Sequence, residues 1–229
     1  MSAAVAARVG AAPVVARVLG VHRGAVHVDL GDGFVATLLT PGAPMLANGV
    51  SAARVEPPVA VGWDPAAPHH WEPVPVPFAG APGDVANLGD WLRARVPVPR
   101  VAAADAAERL VGRGPGLTPE GDDVLAGAMI AARALGPAVG AGRAEVAALV
   151  RLLSPADLRR RTGALSATLV ELAADGAAPE AVHRLLSPVP SQREAGFAEL
   201  GRLGASTGRA LAAGIALCAG YLVGDTTVR

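Results

Sequence analysis

Runs of β-branched and aliphatic residues between about positions 13 and 62 read as β structure, and a helical pattern replaces them from about residue 84. Val14–Leu19 and Ala25–Leu30 are rich in β-branched and aliphatic residues, which suit a pleated, half-buried surface. Asp32-Gly33, between Val26–Leu30 and Phe34–Leu38, is a hairpin signal. Shorter strands are expected near Ser51–Val55 and Val59–Val61. Residues 1–63 therefore predict a small N-terminal antiparallel β sheet or partial barrel. Residues 64–83 carry Pro65, Pro68, Pro73, Pro75, Pro77 and Pro82, a density that forbids a central strand or a helix. They read as a proline-rich connector, with His69 and His70 on its surface and Trp71 placed to pack across it.

From 84 to 229 the pattern is helical. Helices are expected over 84–95, 101–111, 118–135, 141–153, 162–175, 178–187, 191–203 and 206–223. Val146, Leu149, Val150 and Leu153 show the spacing, as do Leu165, Leu169 and Leu172. Gly127, Gly214 and Gly220 lie on apolar faces, where they would let helices approach closely; otherwise each costs about 1 kcal/mol relative to alanine. The fold class is α+β: a small sheet followed by a mainly α-helical domain.

One stretch breaks this regular pattern. Gly112-Arg-Gly-Pro-Gly-Leu-Thr-Pro-Glu-Gly-Asp-Asp123 is a glycine-rich turn, a helix start and two adjacent carboxylates. Thr118 suits the N-cap and Pro119 the first helical position. Gly112, Gly114 and Gly116 permit backbone angles closed to other residues and leave room for a ligand. A glycine turn feeding a helix N-terminus favours phosphate or carboxylate. Glu120, Asp122 and Asp123 would repel a bare anion, and three readings stay open. A divalent cation such as Mg²⁺ bridges carboxylates and oxyanion. The ligand has two ends, one anionic and one an amide or ureido N–H₂. Or the acids only stabilise the helix start. Against the last, Gly121 weakens the first turn, and Asp122 and Asp123 point about 100° apart. The run is neither a phosphate loop, since the chain has no lysine, nor a dinucleotide fingerprint.

Gly204-Ala-Ser-Thr-Gly208 repeats the logic: glycines, a hydroxyl, then a buried helix. The two turns are expected to converge on one ligand. Arg113 is a candidate contact for its anionic end; Arg159, Arg160 and Arg161 read as a solvated helix end.

Composition narrows the classes. The 229 residues suffice for one large domain or two small ones. Twenty basic residues balance twenty acidic ones, which argues against nucleic acid or an anionic membrane as partner. The single cysteine, Cys218, allows no internal disulfide, suits a reducing cytoplasm and reads as packing. Met1–Arg8 lacks a signal core, and the apolar run Ala210–Val223 is shorter than the roughly 20 residues of a membrane span. A soluble cytoplasmic protein is expected.

Gly114-Pro-Gly-Leu-Thr-Pro-Glu-Gly-Asp-Asp-Val-Leu-Ala-Gly127 resembles the signature of the bacterial family of the oxamate carbamoyltransferase H subunit, of allantoin breakdown. That pattern runs Gly-x-Gly-Leu-Thr-Pro-Ser-Gly-Asp-Asp-x-Leu-x-Gly, and Glu120 stands here for Ser. Thr162-Gly-Ala-Leu-Ser166 is similar to a Thr/Ser element of the family. The second turn is similar to Gly-His-Ser-Ser-Gly-x-Asp, with Ala205 at the His position and Ala210 at the Asp position. The resemblance implies a subunit of a complex that turns oxalurate and phosphate into oxamate and carbamoyl phosphate, active with partner chains. It implies that Asp122 and Asp123 carry the chemistry, and that Arg113, Gly114, Gly116, Thr118, Gly121, Ser206, Thr207 and Gly208 bind a small carboxylate, carbamoyl or phosphate ligand. A non-catalytic binding or scaffolding subunit is the alternative.

Overall fold

The computed structural model describes residues 1–9, 12–22, 24–52, 55, 59–61, 71–75, 78–141 and 155–224. Residues 64–70, 76 and 77 of the connector, including His69 and His70, lie outside them, as does the expected helix over 141–153 beyond Ala141.

The chain opens with a short helix α1 (Ala3–Ala6). β1 (Val14–Val15) pairs antiparallel with β6 (Ala60–Val61). The main sheet orders β2 (Arg17–His22), β3 (Ala25–Asp29), β4 (Val35–Leu39) and β5 (Gly49–Ser51). β3 and β4 form the expected hairpin, closed by the Leu30 N–H on the Phe34 carbonyl at 3.0 Å. β4 is buried on both faces.

The fourth strand departs from the antiparallel expectation, because β5 lies parallel to β4, with Thr37 opposite Gly49 and Leu39 opposite Ser51. Residues 40–48 carry the chain back to the start of β4. Buried Asn48 secures that return, its Nδ2 donating to the Val35 carbonyl at 2.8 Å and to Thr37 Oγ1 at 2.9 Å. A side-chain amide closing a loop leaves no mark on a period-two pattern.

The helices are α2 (Pro82–Arg93), α3 (Ala106–Leu110), α4 (Glu120–Leu135), α5 (Pro155–Arg161), α6 (Ala164–Ala174), α7 (Glu180–Leu185), α8 (Pro190–Leu200) and α9 (Thr207–Leu222). A 3₁₀ turn (Ala103–Asp105) leads into α3. A second 3₁₀ turn (Gly136–Val139) extends α4 past the expected stop at Gly136-Pro137 and ends at Gly140, whose φ is +67°. α4 and α9 are buried almost all round. Leu88, Leu92, Met129, Ile130, Leu135, Ile215 and Leu217 fill the helical core, each contributing about 1.5–3 kcal/mol by burial.

A second apolar cluster lies under the sheet, around Val5, Val28, Phe34 and Ala36. α6 links the two: Leu172 packs on the sheet cluster, and Thr168 Oγ1 accepts the Val35 N–H at 3.1 Å. Trp71 also connects them. Its backbone bonds to Met1 and Ala3, while its ring packs on His183 of α7 at 5.3 Å between centroids. Among the described residues, no helix is long and apolar enough to cross a membrane.

Candidate functional site

α3 ends at Leu110, and the chain turns through Gly112, Gly114 and Gly116, with φ of +73°, +111° and +103°. A side chain at any of the three would strain the backbone. At Gly112 it would also collide, since a Cβ would lie 2.2 Å from the Arg161 carbonyl oxygen. A Cβ on Gly121 would lie 2.1 Å from the Leu110 oxygen, so α4 starts directly against the end of α3. The glycine expected to weaken the first turn is therefore required by packing.

The helix start differs from the expectation. α4 begins at Glu120, with Pro119 in the N-cap place and no side-chain cap. Thr118 points elsewhere: its Oγ1 lies 3.0 Å from Thr207 Oγ1. Thr207 opens α9, after a turn in which Gly204 has φ +60°. The two glycine turns thus converge. Backbone contact between their helices brings them together. A Cβ on Gly127 would lie 2.1 Å from the Leu211 oxygen, and one on Gly214 1.9 Å from the Val124 oxygen.

The two aspartates differ in their surroundings. Asp122 is buried and fully engaged. Its Oδ1 accepts the Gly112 N–H at 2.7 Å, and its Oδ2 accepts the Ser166 hydroxyl at 2.6 Å and the Thr162 hydroxyl. It ties the first glycine to the start of α6. Thr162 and Ser166 were not among the expected site residues; their signal was two hydroxyls one helical turn apart, in the Thr/Ser element already noted.

Asp123 is 4% exposed, and its Oδ2 has no hydrogen-bond partner among the described residues. Burial pushes its pKa up to about 7; the Asp122 and Glu120 charges push the same way, while the Thr207 and Thr118 hydroxyls beside it pull down. A carboxyl that changes charge near neutral pH can accept a ligand N–H when ionised and donate to an oxyanion when protonated.

The remaining expected residues fall around this pair. Arg113, Gly114 and Gly116 are exposed on the first turn. The Gly121 N–H is committed to the Arg113 carbonyl at 2.8 Å and the Gly208 N–H to the Leu203 carbonyl at 3.1 Å. Gly208 is also a packing residue, since a Cβ there would lie 1.7 Å from the Leu200 oxygen. Ser206 precedes α9 without a side-chain cap bond. Where the turns meet, the polar groups are therefore the Asp123 carboxylate and the Thr118 and Thr207 hydroxyls.

The three arginines close α5 as a charged helix end. Arg159 pairs with Glu171 at 2.9 Å, Arg160 with Asp157, and Arg161 Nη2 donates to the Glu108 carbonyl at 2.5 Å. Cys218 is fully buried in α9, and burial drives its thiol pKa upward. Among the described residues, no three His, Cys, Asp or Glu side chains gather as a metal-ligand set.

The family model described as oxamate carbamoyltransferase subunit AllH matches residues 110–219. No curated protein and no solved structure matches the chain. The matched span runs from the end of α3 through most of α9 and takes in both glycine turns, both aspartates and the Thr162–Ser166 element. Over residues 110–219, just under half of its length, the chain is similar to the family of the oxamate carbamoyltransferase subunit AllH.

Proposed function

We propose that the chain serves a carbamoyl-transferring complex that converts oxalurate and phosphate to oxamate and carbamoyl phosphate, and that the convergent turns bind the transferred group. The observation that carries the reading is the buried Asp123 carboxylate, with one oxygen unpartnered, beside the Thr118 and Thr207 hydroxyls. A ureido or carbamoyl N–H₂ supplies the donor that this oxygen lacks. Arg113 and the exposed turn at Gly114 and Gly116 serve the carboxylate or phosphate end. Asp122, with three donors of its own, positions the first turn and leaves contact with the ligand to Asp123. Such a site acts by orientation and charge stabilisation, with no nucleophile required of this chain.

The alternative is a non-catalytic subunit that binds the same ligand class. Ala205 and Ala210 favour it, since the matching positions of the family pattern carry His and Asp.

The test is a thermal-shift titration with carbamoyl phosphate, oxamate, oxalurate and phosphate, each with and without Mg²⁺, on wild type and Asp123→Asn. A ligand at 100 times its Kd stabilises the fold by about 2.7 kcal/mol. The reading requires a shift that the variant loses. A shift retained in full by Asp123→Asn moves the ligand away from this carboxylate. Turnover by the reconstituted complex separates the alternatives: Asp123→Asn abolishes it if the residue is catalytic, and only raises the KM if it merely binds.

A further inference from the structure

His22 and His27 meet on the face of the main sheet that looks toward the first glycine turn. Gly20 stands opposite His27 and His22 opposite Ala25, so the two histidines are diagonal neighbours on one face of β2 and β3. Their ring centroids lie 5.5 Å apart, with the planes tilted by 52°. Gly20 gives the His22 ring its place. A Cβ there would stand 3.4 Å from His22 Nε2 and 4.0 Å from Leu117 Cδ1. The ring therefore folds back over the strand, toward His27 and beside Leu117 of the glycine turn.

His27 is oriented from behind. Its Nδ1 lies 3.0 Å from Thr37 Oγ1, which accepts from Asn48 Nδ2 at 2.9 Å. Thr37 and Asn48 are fully buried, and Asn48 is held a second time by the Val35 carbonyl. This chain of bonds fixes the His27 ring and leaves Nε2 as the nitrogen open to a ligand. Imidazoles that bind metals are set in the same way, with one ring nitrogen held by a polar group of the protein and the other free. Among the described residues, no carboxylate pairs with either ring. Two imidazolium cations at this spacing would repel each other, so the pair favours neutral rings, the form that coordinates a metal.

We infer that His22 and His27 form a site for one divalent transition-metal ion, zinc above all, bound through Nε2 of each ring. Two imidazoles that share a tetrahedral zinc, at about 2.0–2.1 Å from each nitrogen, hold their ring centres about 5 Å apart, close to the spacing of this pair. Neutral imidazole suits zinc, copper and nickel, whereas magnesium takes oxygen ligands. Asp29 shares this face of β3, but Arg17 engages it at 2.9 Å and the Gly31 N–H at 2.9 Å, so it adds no third ligand. Two protein ligands leave two positions for water or a small ligand, which makes the site open where a structural zinc site is closed. The inference goes beyond the carbamoyl-transfer reading and uses neither Asp123 nor its ligand.

The test titrates the untagged, metal-free chain with zinc chloride by calorimetry at neutral pH. The Cu²⁺-loaded chain is measured beside it by pulsed EPR, which counts coordinated imidazoles. One zinc ion per chain and two imidazoles on copper are expected. His22→Gln and His27→Gln should each weaken zinc binding by about tenfold or more, and Thr37→Val, which removes the hydroxyl behind His27, by about tenfold. His22 is exposed, so His22→Gln keeps the fold should the other variants lose it. His69→Gln/His70→Gln should bind as wild type does. A chain that takes up no zinc overturns the inference. So does zinc binding that His22→Gln retains in full, or binding that is lost with His69 and His70 instead.

Discussion

Asp122 and Asp123 are neighbours, yet the same replacement by asparagine should move stability in opposite directions. At Asp123 the folded-state pKa of about 7 stands some three units above the ordinary 3.8. Each unit is worth about 1.36 kcal/mol, so ionising this carboxyl costs the folded protein about 4 kcal/mol. Between pH 3.8 and pH 7 the folded chain binds more protons than the unfolded chain. Wild-type stability from this group is therefore full below pH 4 and lost as pH rises through 7. Asparagine does not titrate and escapes the loss. The stability difference, Asp123→Asn minus wild type, should grow by about 4 kcal/mol from pH 4 to pH 8, or about 8–16 °C in Tm for a chain of this size. Circular-dichroism melts of both proteins at pH 4.5, 6 and 8 measure it, and titrations common to both cancel in the difference. Asp122→Asn should instead lose about 3 kcal/mol at neutral pH. Three donors point at that carboxylate, and an amide turns an N–H₂ toward some of them. A gap between Asp123→Asn and wild type that stays constant across the pH range would refute the burial of this carboxyl.

Gly214→Ala should cost about 3 kcal/mol, because its methyl would sit 1.9 Å from the Val124 oxygen. A urea midpoint within experimental error of wild type would contradict the backbone contact. Ser166→Ala should cost about 2 kcal/mol by removing a hydroxyl that donates to a buried carboxylate at 2.6 Å, and Asp122→Asn should cost less in that background than alone. Fully additive losses would mean that the two do not interact. The Cys218 thiol, buried and shifted upward, should resist a thiol reagent in native buffer and react only in denaturant; prompt native labelling would exclude the packing role.

Much of this was legible in the sequence. The Asp32-Gly33 hairpin, the helical half and the glycine turns follow from local signals that need no tertiary knowledge. The approach of the two turns was expected on their similarity alone, and Gly127 and Gly214 bring it about. Three features lay beyond local reading. The parallel β5 depends on Asn48, a side chain that bonds across 13 residues to Val35. Thr118 satisfies every rule for an N-cap, but its hydroxyl goes to Thr207, 89 residues away. The different surroundings of Asp122 and Asp123 depend on which helix passes each carboxylate. Sequence spacing separates the two by angle, but cannot say that α6 supplies hydroxyls to one and leaves the other short of a donor.

The glycine contact between α4 and α9 sets how the site can respond to an occupant. An interface made of side chains has slack, because rotamers can change and let two helices slide. At Gly127 and Gly214 main chain rests on main chain, and no torsion there can absorb a displacement. The spacing of Thr118 and Thr207 is then a dimension of the scaffold, fixed before any ligand arrives. Adjustment to a ligand falls to the exposed Arg113–Leu117 arc, whose five residues carry no such main-chain contact between helices.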